Sequence, residues 1–155
     1  MLSYKHTQIG YLILFILLAL IVFYVWLYGV ISIEIGSNFF VVAIMSLVLF
    51  ILASFLTLKV TIDANYVRIK FGYGIFHKKF LIKEIVSAKT VKNHWYYGWG
   101  IRVWFWPYMW IYNISGFDAV EITMKSGKIY RIGTDVPSEL ETAIKRTTIS
   151  SKDVT

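Results

Sequence analysis

Residues 9–58 read IGYLILFILLALIVFYVWLYGVISIEIGSNFFVVAIMSLVLFILASFLTL, about fifty positions in which Glu34 is the one charge. Glu34 divides them into two apolar runs, Ile9–Ile33 and Ile35–Leu58. Each run exceeds the roughly 20 residues that an α-helix needs to cross a ~30 Å hydrocarbon core. In hydrocarbon every backbone N–H and C=O must be satisfied within the segment, so both runs are expected to be helical. The turn-prone residues Ser32, Glu34, Gly36, Ser37 and Asn38 lie between them. The reading is a membrane hairpin over residues 1–58, with helices at about 9–31 and 38–58. The first run is too long for a cleaved signal peptide, whose apolar stretch is about 7–15 residues, and no small-x-small cleavage site follows it.

Charge sets the expected orientation. The N-terminal flank carries Lys5 and His6, the loop carries Glu34 and no base, and the C-terminal flank carries Lys59, Arg68, Lys70, Lys78 and Lys79. Both termini are therefore expected on the cytoplasmic side. Tyr4, Tyr11, Tyr24, Trp26 and Tyr28 sit near the ends of the first run, and Phe39 and Phe40 open the second, as interfacial aromatics do. A hydrophobic fraction of 57% and a mean hydropathy of +0.62 exceed those of soluble domains and agree with an anchor of this size. Cysteine is absent, which excludes disulfides, thiolate nucleophiles and cysteine-ligated metals.

Residues 59–149 are enough for one small domain. No linker precedes it, since Thr57–Ile62 passes directly from apolar run to alternation, so the domain should sit against the bilayer. Val67, Ile69 and Phe71 alternate with Arg68 and Lys70, the mark of a half-buried strand. Further strands are expected at 75–81, 86–92, 101–106, 110–114, 119–125 and 128–132, with a helical turn at Ile82–Ile85 and a hairpin signal at Ser126-Gly127. Pro107 should end its strand or place it at an edge. An amphipathic helix is predicted over about 136–148, capped by Asp135 and carrying Leu140, Ala143, Ile144 and Thr147 on one stripe, with a tail at 150–155. The fold class is thus a two-helix membrane hairpin followed by an all-β unit, a small bent sheet or barrel closed by a C-terminal helix.

The densest aromatic stretch is His94–Trp110. Ile101, Val103 and Phe105 alternate there with Arg102, Trp104 and Trp106, giving one aliphatic and one tryptophan-bearing face. A barrel of about 90 residues has little interior, and aliphatic residues from every strand compete for it. Several of Trp95, Trp99, Trp104, Trp106, Tyr108 and Trp110 should therefore lie outside, as a surface for lipid headgroups or a protein partner.

Trp95–Arg102, Tyr112–Gly116, Ala119–Ile122 and Gly127–Asp135, with Pro137 and Leu140, make residues 58–147 resemble the pleckstrin-homology-like domains of small bacterial and archaeal membrane proteins. The resemblance implies a partly open β-barrel of two roughly orthogonal sheets capped by a helix, serving as a scaffold or interaction module in the plasma membrane, sometimes as an oligomer. Eukaryotic relatives bind phosphoinositides through bases around the first hairpin. Here that turn is read as Asp63-Ala64-Asn65, which carries an acid and no base, so this route is not expected.

Few groups converge for chemistry. His6, His77 and His94 have no partner at metal-binding spacing and read as exposed or interfacial. Gly72-x-Gly74 and Gly98-x-Gly100 are too short for a phosphate loop, and no serine stands in a nucleophile elbow. Asp63, Glu84, Asp118 and Glu121 read as solvated surface. An enzyme, a cofactor and nucleic-acid binding are therefore not expected. From Lys59 onward, 15 Lys/Arg stand against 8 Asp/Glu, which carries the chain's whole net charge of +7. Lys78, Lys79, Lys83, Lys89, Lys92 and Arg102 are the candidates for anionic headgroups. The expected function is a non-enzymatic, membrane-anchored interaction module. The alternative is an accessory subunit of a larger membrane complex, packed through small residues Ala43, Ser46, Ala53 and Ser54.

Overall fold

The computed structural model describes residues 4–34 and 39–152. The described residues open with a strand that the apolar pattern does not reveal. Tyr4–Ile9 is β1, followed by helix α1 at Tyr11–Glu34 and helix α2 at Phe39–Ala53. Strands β2 (Thr57–Ile62), β3 (Tyr66–Phe71) and β4 (His77–Leu81) come next. After a 3-10 turn at Ile82–Glu84 come β5 (Ile85–Lys92), a second 3-10 turn at Trp95–Tyr97, β6 (Gly100–Phe105) and β7 (Tyr108–Asn113). Strands β8 (Asp118–Met124) and β9 (Ile129–Gly133) precede helix α3 at Pro137–Lys152.

β1 pairs antiparallel with β2 from Tyr4↔Ile62 to Ile9↔Thr57. The two helices are therefore an insertion between paired strands: the chain leaves the sheet at Ile9 and re-enters it at Thr57. This corrects the division at residue 58. Residues 4–9 belong to the β unit, and Ile9 is the end of a strand rather than the start of a helix. The second helix ends at Ala53 rather than 58, because Thr57 and Leu58 belong to strand β2, with Leu58 fully buried in the core between the sheets. The interhelical turn was expected to hold Ser32 to Asn38. Ser32 to Glu34 continue α1, and 35–38 lie outside the described residues.

α1 and α2 lie against each other, with Ile21, Val25 and Tyr28 facing Leu49, Met45 and Val42 across a shallow groove. Tyr11–Ile31 is long and apolar enough to cross a membrane. The 15 residues of α2 rise only about 22 Å, short of a ~30 Å core.

The four-stranded sheet runs β1-β2-β3-β4, and the five-stranded sheet runs β5-β8-β9-β7-β6. All pairs are antiparallel except β7 with β9. β8, β9 and β7 form the centre of the second sheet, with β5 and β6 at its edges; the β6–β7 hairpin, which intervenes between β5 and β8 in sequence, lays β7 along β9. One core lies between the sheets. Leu58, Val60, Ile62, Val67, Ile69 and Phe71 meet Tyr112, Val120, Ile122, Tyr130 and Ile132, and α3 closes it with Leu140 and Ile144. Burying such a side chain contributes about 1.5–3 kcal/mol. Phe80 and Phe71 reach across to Tyr112, with ring centroids 6.3 and 6.4 Å apart. Burial pushes the Tyr112 phenol up to about 12.

α3 runs through Lys152, so residues 150–152 extend the helix where a tail was expected, and 153–155 lie outside the described residues. Asp135 was expected to cap it. Instead His6 Nε2 lies 2.5 Å from Asp135 Oδ1, and Thr134 Oγ1 accepts the Val136 N–H.

Candidate functional site

The aromatic stretch divides into a buried part and a bare tip. β6 and β7 pair from Gly100↔Asn113 to Phe105↔Tyr108, leaving Trp106-Pro107, joined by a cis peptide bond, as a two-residue turn. Pro107 ends β6, and β6 is an edge strand. Ile101, Trp110 and Tyr112 face the main core. On the opposite face Trp104 packs with Tyr97, Met109 and Ile111 in a second cluster roofed by the 3-10 turn at Trp95–Tyr97. The Trp104 and Tyr97 centroids are 4.8 Å apart, and Trp104 Nε1 donates to the Trp106 carbonyl at 2.9 Å.

Beyond these supports stands the tip. Phe105 is 79% exposed, Trp106 90% and Tyr108 53%. Trp95 is also exposed, at 76%, with its edge against Tyr96. Trp99 and Trp110 are half-buried. Of the six expected contact residues, Trp106 and Tyr108 thus form the tip with Phe105, which sequence reasoning placed on the aliphatic face. Trp95 stands apart, Trp104 and Trp110 serve the packing beneath, and the Trp99 carbonyl accepts from Arg102.

The tip points away from the helix bases. Asn113, at the other end of β7, donates its side-chain N–H to the Gly116 carbonyl, and Gln8, two residues before the helical insertion, donates to the Ser115 carbonyl at 3.1 Å. Four intervening residues of strand at about 3.4 Å each separate that end from Tyr108.

Sheet edges differ in protection. The Thr90 amide and hydroxyl on β5 donate to Glu141 Oε2 of α3 at 2.7 and 2.6 Å. The edge strand β4 carries Lys78 and Lys79, and β1 is tied to the start of α3 through His6 and Asp135. β6 has β7 as its one sheet neighbour, carries Arg102 as its one charge, and has no covering helix among the described residues. Charge, cover and short length are the usual guards of an edge.

The six cations expected to meet headgroups do not come together. Lys78 and Lys79 lie on β4 and Lys83 in the 3-10 turn at the opposite end of that strand. Lys89 bridges Glu121 at 3.0 Å, Lys92 ends β5, and Arg102 Nε donates to the Trp99 carbonyl at 3.2 Å. Pairing instead gathers Lys5, Lys59, Arg68 and Lys70 beside Lys79. The period-two pattern of 57–62 and 66–71 placed Lys59, Arg68 and Lys70 on one face, and only the strand partners were missing.

Glu121, read as surface, is buried between Lys89 and Arg131, whose Nε donates to Oε2 at 2.9 Å. Burial would raise its carboxyl, but the hydrogen bonds and charges of Lys89 and Arg131 outweigh that and lower it. Arg131 also reaches the Asn93 side chain and lies 5.6 Å from the Tyr97 ring centre. This network positions the second cluster. Asp63 accepts the Asn65 and Tyr66 amides and pairs with Arg68. Its turn joins β2 to β3; the connection of the first hairpin is the helical insertion itself, which corrects the earlier placement. His6 has the Asp135 partner described above, and His94 stacks on Tyr96 at 5.0 Å. Among the described residues no three His, Asp or Glu side chains are grouped to hold a metal. Of the small residues offered for helix packing, Ser46 lines the groove to α1 and Ser54 is buried just beyond α2, while Ala43 is exposed.

No family model matches the chain, and neither curated proteins nor solved structures provide a match.

Proposed function

We propose that the chain is a membrane-anchored, non-enzymatic interaction module, a pleckstrin-homology-like β unit held at the cytoplasmic face by α1 and α2, which docks a protein partner through the β6–β7 hairpin. Two sheets sharing a core, closed by a C-terminal helix, support the pleckstrin-homology-like reading. The observation that carries the docking role is the tip Phe105-Trp106-Pro107-Tyr108, whose rings are exposed above a rigid aromatic base. Exposed apolar surface of this kind marks interaction sites, and tryptophan and tyrosine are the residues that anchor them. Its position at the far end of β7 from the helix bases favours a protein over the bilayer as the occupant.

A photo-crosslinking residue at position 106 of the full chain, in native membranes, tests this. A discrete protein adduct that is lost with Phe105→Ser, and absent when the crosslinker stands at position 128, supports the reading. Lipid adducts alone, or none, contradict it.

A further inference from the structure

The outward face of the four-stranded sheet is a ladder of like charges. Strand pairing sets Lys59 opposite Lys70 and Lys70 opposite His77 in one row. The next row holds Lys5, Thr61, Arg68 and Lys79. Like charges directly opposite each other on a sheet destabilise it, so such rows call for a counter-charge. The protein supplies one: Asp63 pairs with Arg68. Among the described residues no carboxylate pairs with Lys5, Lys59, Lys70 or Lys79. Lys59, Arg68, Lys70 and Lys79 line an open groove of about 330 Å³, and Gly74, at φ +93°, leaves space beside it for the aliphatic stem of Lys70.

Place in the fold identifies the counter-charge. Thr57 opens β2, separated from the end of α2 by three residues, and the Gly10 amide just before α1 bonds the Leu56 carbonyl, so the ladder begins close to where α1 starts and α2 ends. Lys59 is two residues along, about 7 Å at strand rise, and the row of Arg68 and Lys79 lies about 7 Å further. The polar layer on each side of a bilayer is roughly 5–8 Å deep. Lysine's flexible stem lets the nearer row enter that layer and the farther row reach its edge.

We infer that this face binds the anionic phosphate headgroups of the leaflet from which α1 and α2 emerge, with Lys59, Lys70 and Lys79 as the principal contacts. The inference rests on the membrane reading above but not on the aromatic tip. It places the lipid contact on the opposite sheet from the docking hairpin, so one module can hold a bilayer and a partner at once.

The test uses the full chain reconstituted in mixed phosphatidylcholine–phosphatidylglycerol bilayers, with spin-labelled versions of each lipid reporting which is retained at the protein. Wild type should prefer the phosphatidylglycerol label, and high salt should reduce that preference. The K59Q/K70Q/K79Q variant should lose about fivefold or more, the share of even one near-surface cation. The control K83Q/K125Q/K128Q should keep it. Equal retention of both lipids by wild type, a preference indifferent to salt, or equal loss in the control overturns the inference. A chain that does not enter bilayers overturns the membrane reading, and this inference with it.

Discussion

The Gly10 amide donates to the Leu56 carbonyl at 2.8 Å, tying the first residue of the helical insertion to its last. Ile9 and Thr57, just outside that bond, are directly paired across the sheet. The helices are thus a large loop on a β-hairpin, and the β unit is completed by a strand that precedes them.

It follows that the insertion can be removed and the strand cannot. Replacing residues 10–56 by Asn-Gly, which favours a two-residue hairpin turn, should give a soluble, cooperatively unfolding β unit. A fragment beginning at Lys59 lacks β1 and leaves β2 as a bare edge; it should unfold earlier or aggregate. Circular dichroism and thermal melts distinguish the two outcomes, and equal stability would contradict the pairing.

The base of the insertion is tight at Gly72. Its φ is +39°, its amide donates to the Thr57 carbonyl, and a Cβ there would run into the Ser54 carbonyl oxygen. Gly72→Ala should therefore cost about 2–4 kcal/mol, read as a lowered melting midpoint in detergent.

Two tryptophans two residues apart should behave oppositely. Trp104→Ala opens the cluster with Tyr97, Met109 and Ile111 and should cost about 3 kcal/mol or more. Trp106→Ala removes a ring that is 90% exposed and should stay within about 0.5 kcal/mol. Denaturant titration of both variants checks the division into base and tip.

That division shows what the sequence could tell and what it could not. Local period two revealed most strands and the opposite faces of β6, and periodicity located the buried stripe of α3. It could not reveal β1: six residues, YKHTQI, carry no clear apolar alternation and gain their place by pairing with β2. The apolar run through Leu58 likewise merged a helix with a strand, because hydrocarbon and a β core select the same residues. Pairing between distant strands gathered Lys5, Lys59, Arg68, Lys70 and Lys79, and it buried Glu121, whose spacing in sequence gave no sign of Arg131 as a partner.

The α3–β5 contact should be acid-sensitive. Glu141, half-buried beside β5, is lowered from 4.5 to about 2, first by Lys145 and then by the Thr90 hydroxyl and amide. A folded-state value below the unfolded one stabilises above the unfolded pKa and loses that stabilisation as pH falls through the folded one. Wild type should therefore exceed Glu141→Gln in melting midpoint at neutral pH, with the gap closing from about pH 4.5 down to about 2. A gap that is constant with pH would contradict this.

The central claim is that α1 and α2 enter a bilayer and hold the β unit on its cytoplasmic side. The chain lacks cysteine, so single cysteines report cleanly. The most direct measurement is labelling of intact, oriented membranes by an impermeant maleimide with Ser37→Cys or Lys128→Cys in the full chain. The account predicts that position 37 reacts from outside and that position 128 reacts only after permeabilisation. Reaction of both from one side, with release of the chain by alkaline carbonate, would contradict it.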